Sequence, residues 1–237
     1  MIEVYRGNQQ PERHFGIFST YIMFFPQLLS GPISRPQQLI HQFKEKHSFE
    51  YSRVTNGLKL AVWGMFKKLV IAERLAVYVN EVYNRPLDYA GISFIIATIF
   101  FAFQLYCDFS GYVDIAIGTA QILGFELPQN FRQPFFARSI ADFWNRWHLT
   151  LSSWLRDYAY TPMSILLRDW GIWGGVISLI ITFFICGFWH GATWNFFILG
   201  LLYGLALSFD LLTRRTWKKI WKKFPKSVEM GFSIFSS

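Results

Sequence analysis

Residues 171–213 read GIWGGVISLIITFFICGFWHGATWNFFILGLLYGLALSFDLLT, and no other part of the chain constrains its architecture as strongly. Two long apolar runs, 171–189 and 193–213, flank a short turn that carries His190. At 1.5 Å per residue, each is about long enough to cross a ~30 Å hydrocarbon core. Lipid offers no hydrogen bonds to an open backbone, so a spanning segment must satisfy its own peptide groups. Both runs are therefore expected to be α-helices, and the expected fold class is all-α, a polytopic helical membrane protein.

The rest of the chain agrees. Of 237 residues, 52% are hydrophobic and only 16% charged, where a soluble domain carries roughly 25% charged residues. Aromatics reach 20%, and Trp and Tyr favour membrane–water interfaces. Residues 92–106 (ISFIIATIFFAFQLY) are strongly apolar, and this character resumes at 112–125 after a polar interruption. Residues 16–33 are apolar but punctuated by Pro26, Gly31 and Pro32, which predicts a short or broken membrane segment. Residues 37–53 are polar and read as a loop or surface helix. Residues 54–83 are periodic, with Lys67, Lys68, Glu73 and Arg74 interrupting the apolar face. An interfacial helix, or one packed inside a bundle, fits that pattern. Residues 139–160 (SIADFWNRWHLTLSSWLRDYAY) place Trp144, Trp147, Leu151 and Trp154 at helical spacing. They predict one amphipathic helix at or just below the interface.

The net charge is +8, and residues 214–226 (RRTWKKIWKKFPK) hold seven Lys and Arg with no acid. A basic cluster directly after an apolar helix marks the cytoplasmic flank and is suited to anionic lipid head groups. The turn at His190 is then expected toward the extracytoplasmic half. Nucleic-acid binding, the other reading of a basic chain, is disfavoured because the remainder is apolar. Cys107 and Cys186 each sit in an apolar stretch and are read as small buried hydrophobes. They suggest no disulfide framework and no metal site. Residues 1–14 are polar, so no cleavable signal peptide is expected at this start.

Four constellations carry candidate chemistry. In CGFWHGATWNF, residues 186–196, His190 lies between two apolar runs and is flanked by Gly187 and Gly191. A neutral imidazole is suited to general base catalysis on a hydroxyl, and an ionisable group at membrane depth is a functional candidate. The plainer reading is a histidine bonded to a neighbouring helix or seated at the wet interface. Trp189 and Asn195, in the same stretch, are candidates for substrate binding. In FWNRWHLTLSSWLRDY, residues 143–158, His148 sits among Trp144, Trp147 and Trp154, with Arg146 nearby. It is read either as a substrate-orienting group or as an interfacial histidine.

In QLYCDFSGYVDIAIG, residues 104–118, Asp108 and Asp114 interrupt an apolar run. Six residues span about 600° on a continuous helix, so the two would not share one face. Ser110 and Gly111 are the place where the helix would break instead. Such carboxylates should face water, a cation or a partner such as Arg. Transport, proton relay and a structural ion pair all remain open. In FFPQLLSGPISRP, residues 24–36, three prolines force a non-helical path toward Arg35, a weak signal for anion binding.

Taken together, these stretches resemble the membrane-bound O-acyltransferase family, in particular its bacterial branch similar to the alginate O-acetylation membrane protein. The matching pieces occur in family order: VYRG at 4–7, FFPQLLSGPISRP, FKKLVIAERLA at 66–76, YCDFSGYVDIAIG, NFRQPFFARSIADFWNRWHLTLSSWLRDYAYTP at 130–162, and GFWHGATWNF. The resemblance implies a helical bundle around a central cavity or funnel, with a catalytic histidine at His190 and a second functional histidine at His148. Asp108, Asp114 and Arg146 are placed second, as residues shaping the channel.

It implies transfer of an acyl group, acetyl above all, to hydroxyls of an extracytoplasmic polysaccharide. The donor would be acetyl-CoA or an acylated carrier, acting as substrate, and no bound cofactor is expected. D-alanyl transfer to teichoic-type polymers and a non-catalytic acyl-export component are the alternatives. Expected partners are membrane lipid, the glycan and other polysaccharide-modification proteins, in a multi-pass protein of the inner membrane. Family members are longer. Helices before VYRG and after the basic tail have no counterpart, so residues 1–237 read as a single, partial membrane domain truncated at both ends, with 214–226 as its basic cytoplasmic segment.

Overall fold

The computed structural model describes residues 2–221. Its described residues are helical, turn and irregular, without strands. They fall into two compact units that divide between Asn130 and Phe131. Three helices are long and apolar enough to cross a membrane: Ile92–Leu123, Ile172–His190 and Trp194–Arg214. The all-α membrane architecture expected from the sequence is therefore present.

The first unit opens with the short helices α1 (Ile2–Tyr5) and α2 (Phe15–Met23). The His14 side chain caps α2 by accepting from the Ile17 amide. After Met23 the chain leaves the helix, makes a 3-10 turn at Phe25–Gln27 and runs extended to α3 (Pro36–Leu39). This is the broken segment that Pro26, Gly31 and Pro32 predict. Side chains supply what the irregular backbone lacks. The Tyr21 hydroxyl donates to the Ser34 carbonyl at 3.0 Å, Tyr112 donates to the Leu28 carbonyl at 2.9 Å, and the Gln27 amide donates to the Tyr21 carbonyl.

Helix α4 (Tyr51–Met65), a π-helical stretch (Phe66–Ala72) and α5 (Glu73–Asn84) make one continuous rod. The rod runs antiparallel to α6 (Ile92–Leu123). Glycines set the closeness of that pairing. A Cβ on Gly57 would stand 2.6 Å from the Gly118 carbonyl oxygen, and one on Gly111 would stand 2.7 Å from that of Gly64. Seven residues separate the glycines on each helix, nearly two full turns, so both contacts lie on one face. Backbone meets backbone there, as at small-residue interfaces between membrane helices.

A small core closes the far end of this pair, with Phe24, Leu39, Ala120 and Leu127 buried against Tyr21, Phe43 and Phe125. Gln42 ties it to the chain beyond α6, accepting from the Glu126 amide at 2.8 Å and donating to the Glu126 carbonyl at 3.1 Å.

The second unit does not hold the single amphipathic helix expected over 139–160. It holds α7 (Ile140–Trp144), a break, α8 (Leu149–Leu155) and a π-helical stretch (Arg156–Tyr160) that leads into α9 (Thr161–Leu166). Two features enforce the break. The Arg146 carbonyl is taken by the Arg132 amide at 2.9 Å, and His148 adopts a left-handed conformation, φ 44° and ψ 56°. Helical spacing of the tryptophans cannot reveal either one.

Helices α10 (Ile172–His190) and α11 (Trp194–Trp221) then form a tight hairpin. Gly187 and Gly200 bring their backbones into contact, and Ser208 donates within its own helix to the Gly204 carbonyl at 2.7 Å. The basic segment 214–226 begins inside α11, and its residues 222–226 lie outside the described residues. Cys107 and Cys186 are free and buried.

Candidate active site

His190 is the last residue of α10, immediately before the turn to α11. Its imidazole meets the Trp189 indole edge-on at 4.8 Å between centroids and stacks against the Phe196 ring at 5.9 Å. Both His190 and Trp189 are exposed, Trp189 at 57%. His148 is buried, with 4% of its surface exposed. Its ring lies 6.4 Å from the same indole. Trp189 thus contacts both histidines, one approaching from the α7–α8 break and the other from the end of α10.

Burial pushes the His148 imidazole down to about 4, and the nearby His190 adds to the effect by opposing a second positive charge. His148 is therefore neutral near pH 7 and works as a hydrogen-bonding group rather than a cation. Its left-handed backbone is tolerable because His is among the residues that populate this region. The loop before it is braced from within. Asp142 accepts from the Arg146 guanidinium at 2.8 Å, from the Arg138 amide at 3.0 Å, and its own amide is capped by Ser139 at 3.0 Å. The Arg146 guanidinium holds the Asp142 carboxyl below the usual carboxylate range. Arg146 is thus committed to the brace that sets the His148 turn. Asn195 is exposed on the first turn of α11.

Asp108 and Asp114 belong to the first unit, and α6 runs unbroken past them. This corrects the expectation of a break at Ser110 and Gly111. Gly111 sits midway between the carboxylates, so each lies about 60° to either side of it. Gly111 is also where α6 touches the rod, and two successive lysines straddle that contact. Lys67 donates to Asp114 at 2.8 Å and to the Ser110 hydroxyl at 2.9 Å, while Lys68 pairs with Asp108. The ion pair, one of the readings left open, is present. The partner is Lys rather than Arg, and neither lysine could be matched to its aspartate before the π-helical register of 66–72 was known.

Arg35 caps the start of α3, its amide hydrogen-bonded to Gln38 at 3.1 Å. The Phe196 contact has no signal in the sequence, because no sequence rule links a histidine to a phenylalanine across a turn.

Comparisons with known proteins cover most of the chain. The chain is 38% identical over 222 residues to a peptidoglycan O-acetyltransferase of Helicobacter pylori, covering 90% of this chain and 40% of that protein. It is 35% identical over 211 residues to a protein of Pseudomonas putida named "Probable alginate O-acetylase", covering 89% and 42%. It is 28% identical over 238 residues to a teichoic acid D-alanyltransferase of Streptococcus thermophilus, covering 94% and 57%. The chain thus spans about two fifths of the length of the two acetylation proteins. The family model described as MBOAT, membrane-bound O-acyltransferase family, matches residues 14–236. In keeping with its long apolar helices, the chain belongs to the membrane-bound O-acyltransferase family.

Proposed function

We propose that this chain carries the reaction centre of an O-acyltransferase of the inner membrane, which moves an acetyl group from acetyl-CoA or an acylated carrier to hydroxyls of an extracytoplasmic polysaccharide. The observation that carries the reading is the convergence of His148 and His190 on the Trp189 indole, in a chain whose relatives at 35–38% identity are named for O-acetylation of peptidoglycan and of alginate.

In this reading His190 is the general base. A ring nitrogen takes the proton of an acceptor hydroxyl as its oxygen attacks the thioester carbonyl carbon. The tetrahedral intermediate collapses with cleavage of the C–S bond, and the leaving thiolate recovers the proton from the imidazolium. The products are an O-acetyl ester and a free thiol. His148, neutral and buried, donates or accepts a hydrogen bond that holds one reactant. Trp189 and Asn195, exposed beside His190, line the approach. Asp108, Asp114 and Arg146 act through structure, by fixing α6 and the His148 turn.

The test is glycan acetylation in cells making the full-length protein. His190→Ala is expected to abolish alkali-released acetate from the envelope polysaccharide, and unchanged acetate would defeat the proposal. D-alanyl transfer is the second reading, supported by the 28% identical relative; release of D-alanine in place of acetate would select it. A non-catalytic acyl-export role predicts that the purified full-length protein transfers nothing to an oligosaccharide without a partner.

A further inference from the structure

Phe196 stands on the first turn of α11, tied to the hairpin by its amide, which donates to the Thr193 carbonyl at 3.1 Å. Two glycines of α10 and the turn decide where it sits. A Cβ on Gly187 would lie 2.3 Å from the Phe196 carbonyl oxygen, so the two backbones touch at this residue. A Cβ on Gly191 would lie 2.9 Å from two carbons of the Phe196 ring, so the ring occupies space that only glycine leaves free. Held in this way, the ring stacks on the His190 imidazole with an interplanar angle of 27°. Trp189 meets the same imidazole edge-on, at 74°.

The next residue makes a useful contrast. Phe197 stacks on Phe184 at 5.4 Å and on Phe188 at 5.9 Å, purely apolar packing of the hairpin. Two adjacent phenylalanines therefore do different things. A flat aromatic face restrains an imidazole without using either ring nitrogen. It also attracts the ring more strongly once it is protonated, because the face of the π system is negative.

We propose that Phe196 is a positioning residue, an aromatic platform that holds the His190 ring with its nitrogens free for the acceptor hydroxyl and steadies the imidazolium as it forms. This rests on the reading of His190 as general base. Gly187 and Gly191 then serve the platform by admitting it, beyond any bend they allow in the chain.

The experiment uses the full-length protein in membrane vesicles, with two readouts. The first is transfer of label from [14C]acetyl-CoA to envelope polysaccharide. Phe196→Leu and Phe196→Met are expected to lower kcat about tenfold with KM for acetyl-CoA changed by less than about twofold, the size of an aromatic pair contact. Phe196→Tyr is expected to restore kcat to within about twofold, and Phe197→Leu to leave it unchanged. The second readout needs no turnover: the rate at which diethyl pyrocarbonate modifies His190, followed by peptide mass spectrometry. It should rise several-fold in Phe196→Leu and Phe196→Met and stay at the wild-type rate in Phe196→Tyr and Phe197→Leu.

Equal losses in Phe196→Leu and Phe197→Leu, no recovery with Tyr, or unchanged His190 modification would overturn the platform. His190→Ala separates the two ideas. Retained transfer in that variant removes the base reading, while His190 modification in the Phe196 variants still reports on the stacking. Loss of transfer in His190→Ala alongside normal Phe196→Leu kinetics removes the platform alone.

Discussion

His148 combines two costs, a left-handed backbone and a buried imidazole, and both have consequences that can be measured. A left-handed conformation at a residue with a Cβ costs on the order of 1–2 kcal/mol. Asn is the replacement that tolerates it best. The ring titrates near 6.5 when unfolded and at about 4 in the fold. Between those values the unfolded chain binds the extra proton, so stability falls as pH falls. It is complete above pH 6.5 and declines progressively toward pH 4, by about 3 kcal/mol in total. Thermal unfolding in detergent should show a melting temperature dropping across this window, and His148→Asn should flatten the drop. A variant that keeps the full pH slope would show that another group titrates there. The histidines themselves were legible in the sequence as candidates. Their shared indole was not, because the left-handed turn at 148 that directs one of them has no signal in the tryptophan spacing.

Among the elements, the rod of α4 and α5 against α6 shows how charge is accommodated on a membrane helix. Gly57, Gly64, Gly111 and Gly118 bring the backbones together, and the lysines of the π-helical stretch then reach past the contact line to the two aspartates. A π-helical turn shifts register relative to an α-helix, and here it accompanies the placement of consecutive lysines on opposite sides of Gly111. Lys67→Met would leave the Asp114 carboxylate without its cation in a site that exposes 23% of its side chain. Removing one member of a buried pair costs roughly 3 kcal/mol, while replacing both by apolar residues of similar size is often neutral. Lys67→Met is therefore expected to lower the detergent melting temperature, and Lys67→Met with Asp114→Leu to recover most of it. A double variant as unstable as the single one would argue that Asp114 has a second role. The carboxylates were visible in the sequence as anomalies in an apolar run. Their partners lie forty and forty-seven residues away, and only the antiparallel pairing brings them together.

The whole molecule exposes large apolar side chains, including Ile95, Ile99, Phe103, Phe188 and Leu202 on the three long helices. In water such faces would drive aggregation, whereas hydrocarbon solvates them without penalty. The basic flank after 213 argues for a cytoplasmic end of α11 and an extracytoplasmic turn at His190. With Cys107 and Cys186 replaced, Thr193→Cys should react with an impermeant maleimide from outside intact cells. Thr216→Cys should react only after permeabilisation. The reverse pattern would invert the orientation.

Composition and hydropathy alone establish the all-α membrane class and the long apolar helices. Motifs alone point to His190 and His148, because both signals are carried locally by residue type and spacing. The unbroken course of α6, the split of 139–160 and the Lys–Asp clamps came from non-local contacts. The stacking of Phe196 on His190 is set by the turn between α10 and α11, which residue spacing does not reveal. A glycine's reason for existing, whether Gly111 against Gly64 or Gly191 against Phe196, is written in the neighbour that needs its space, and that neighbour is adjacent only after folding.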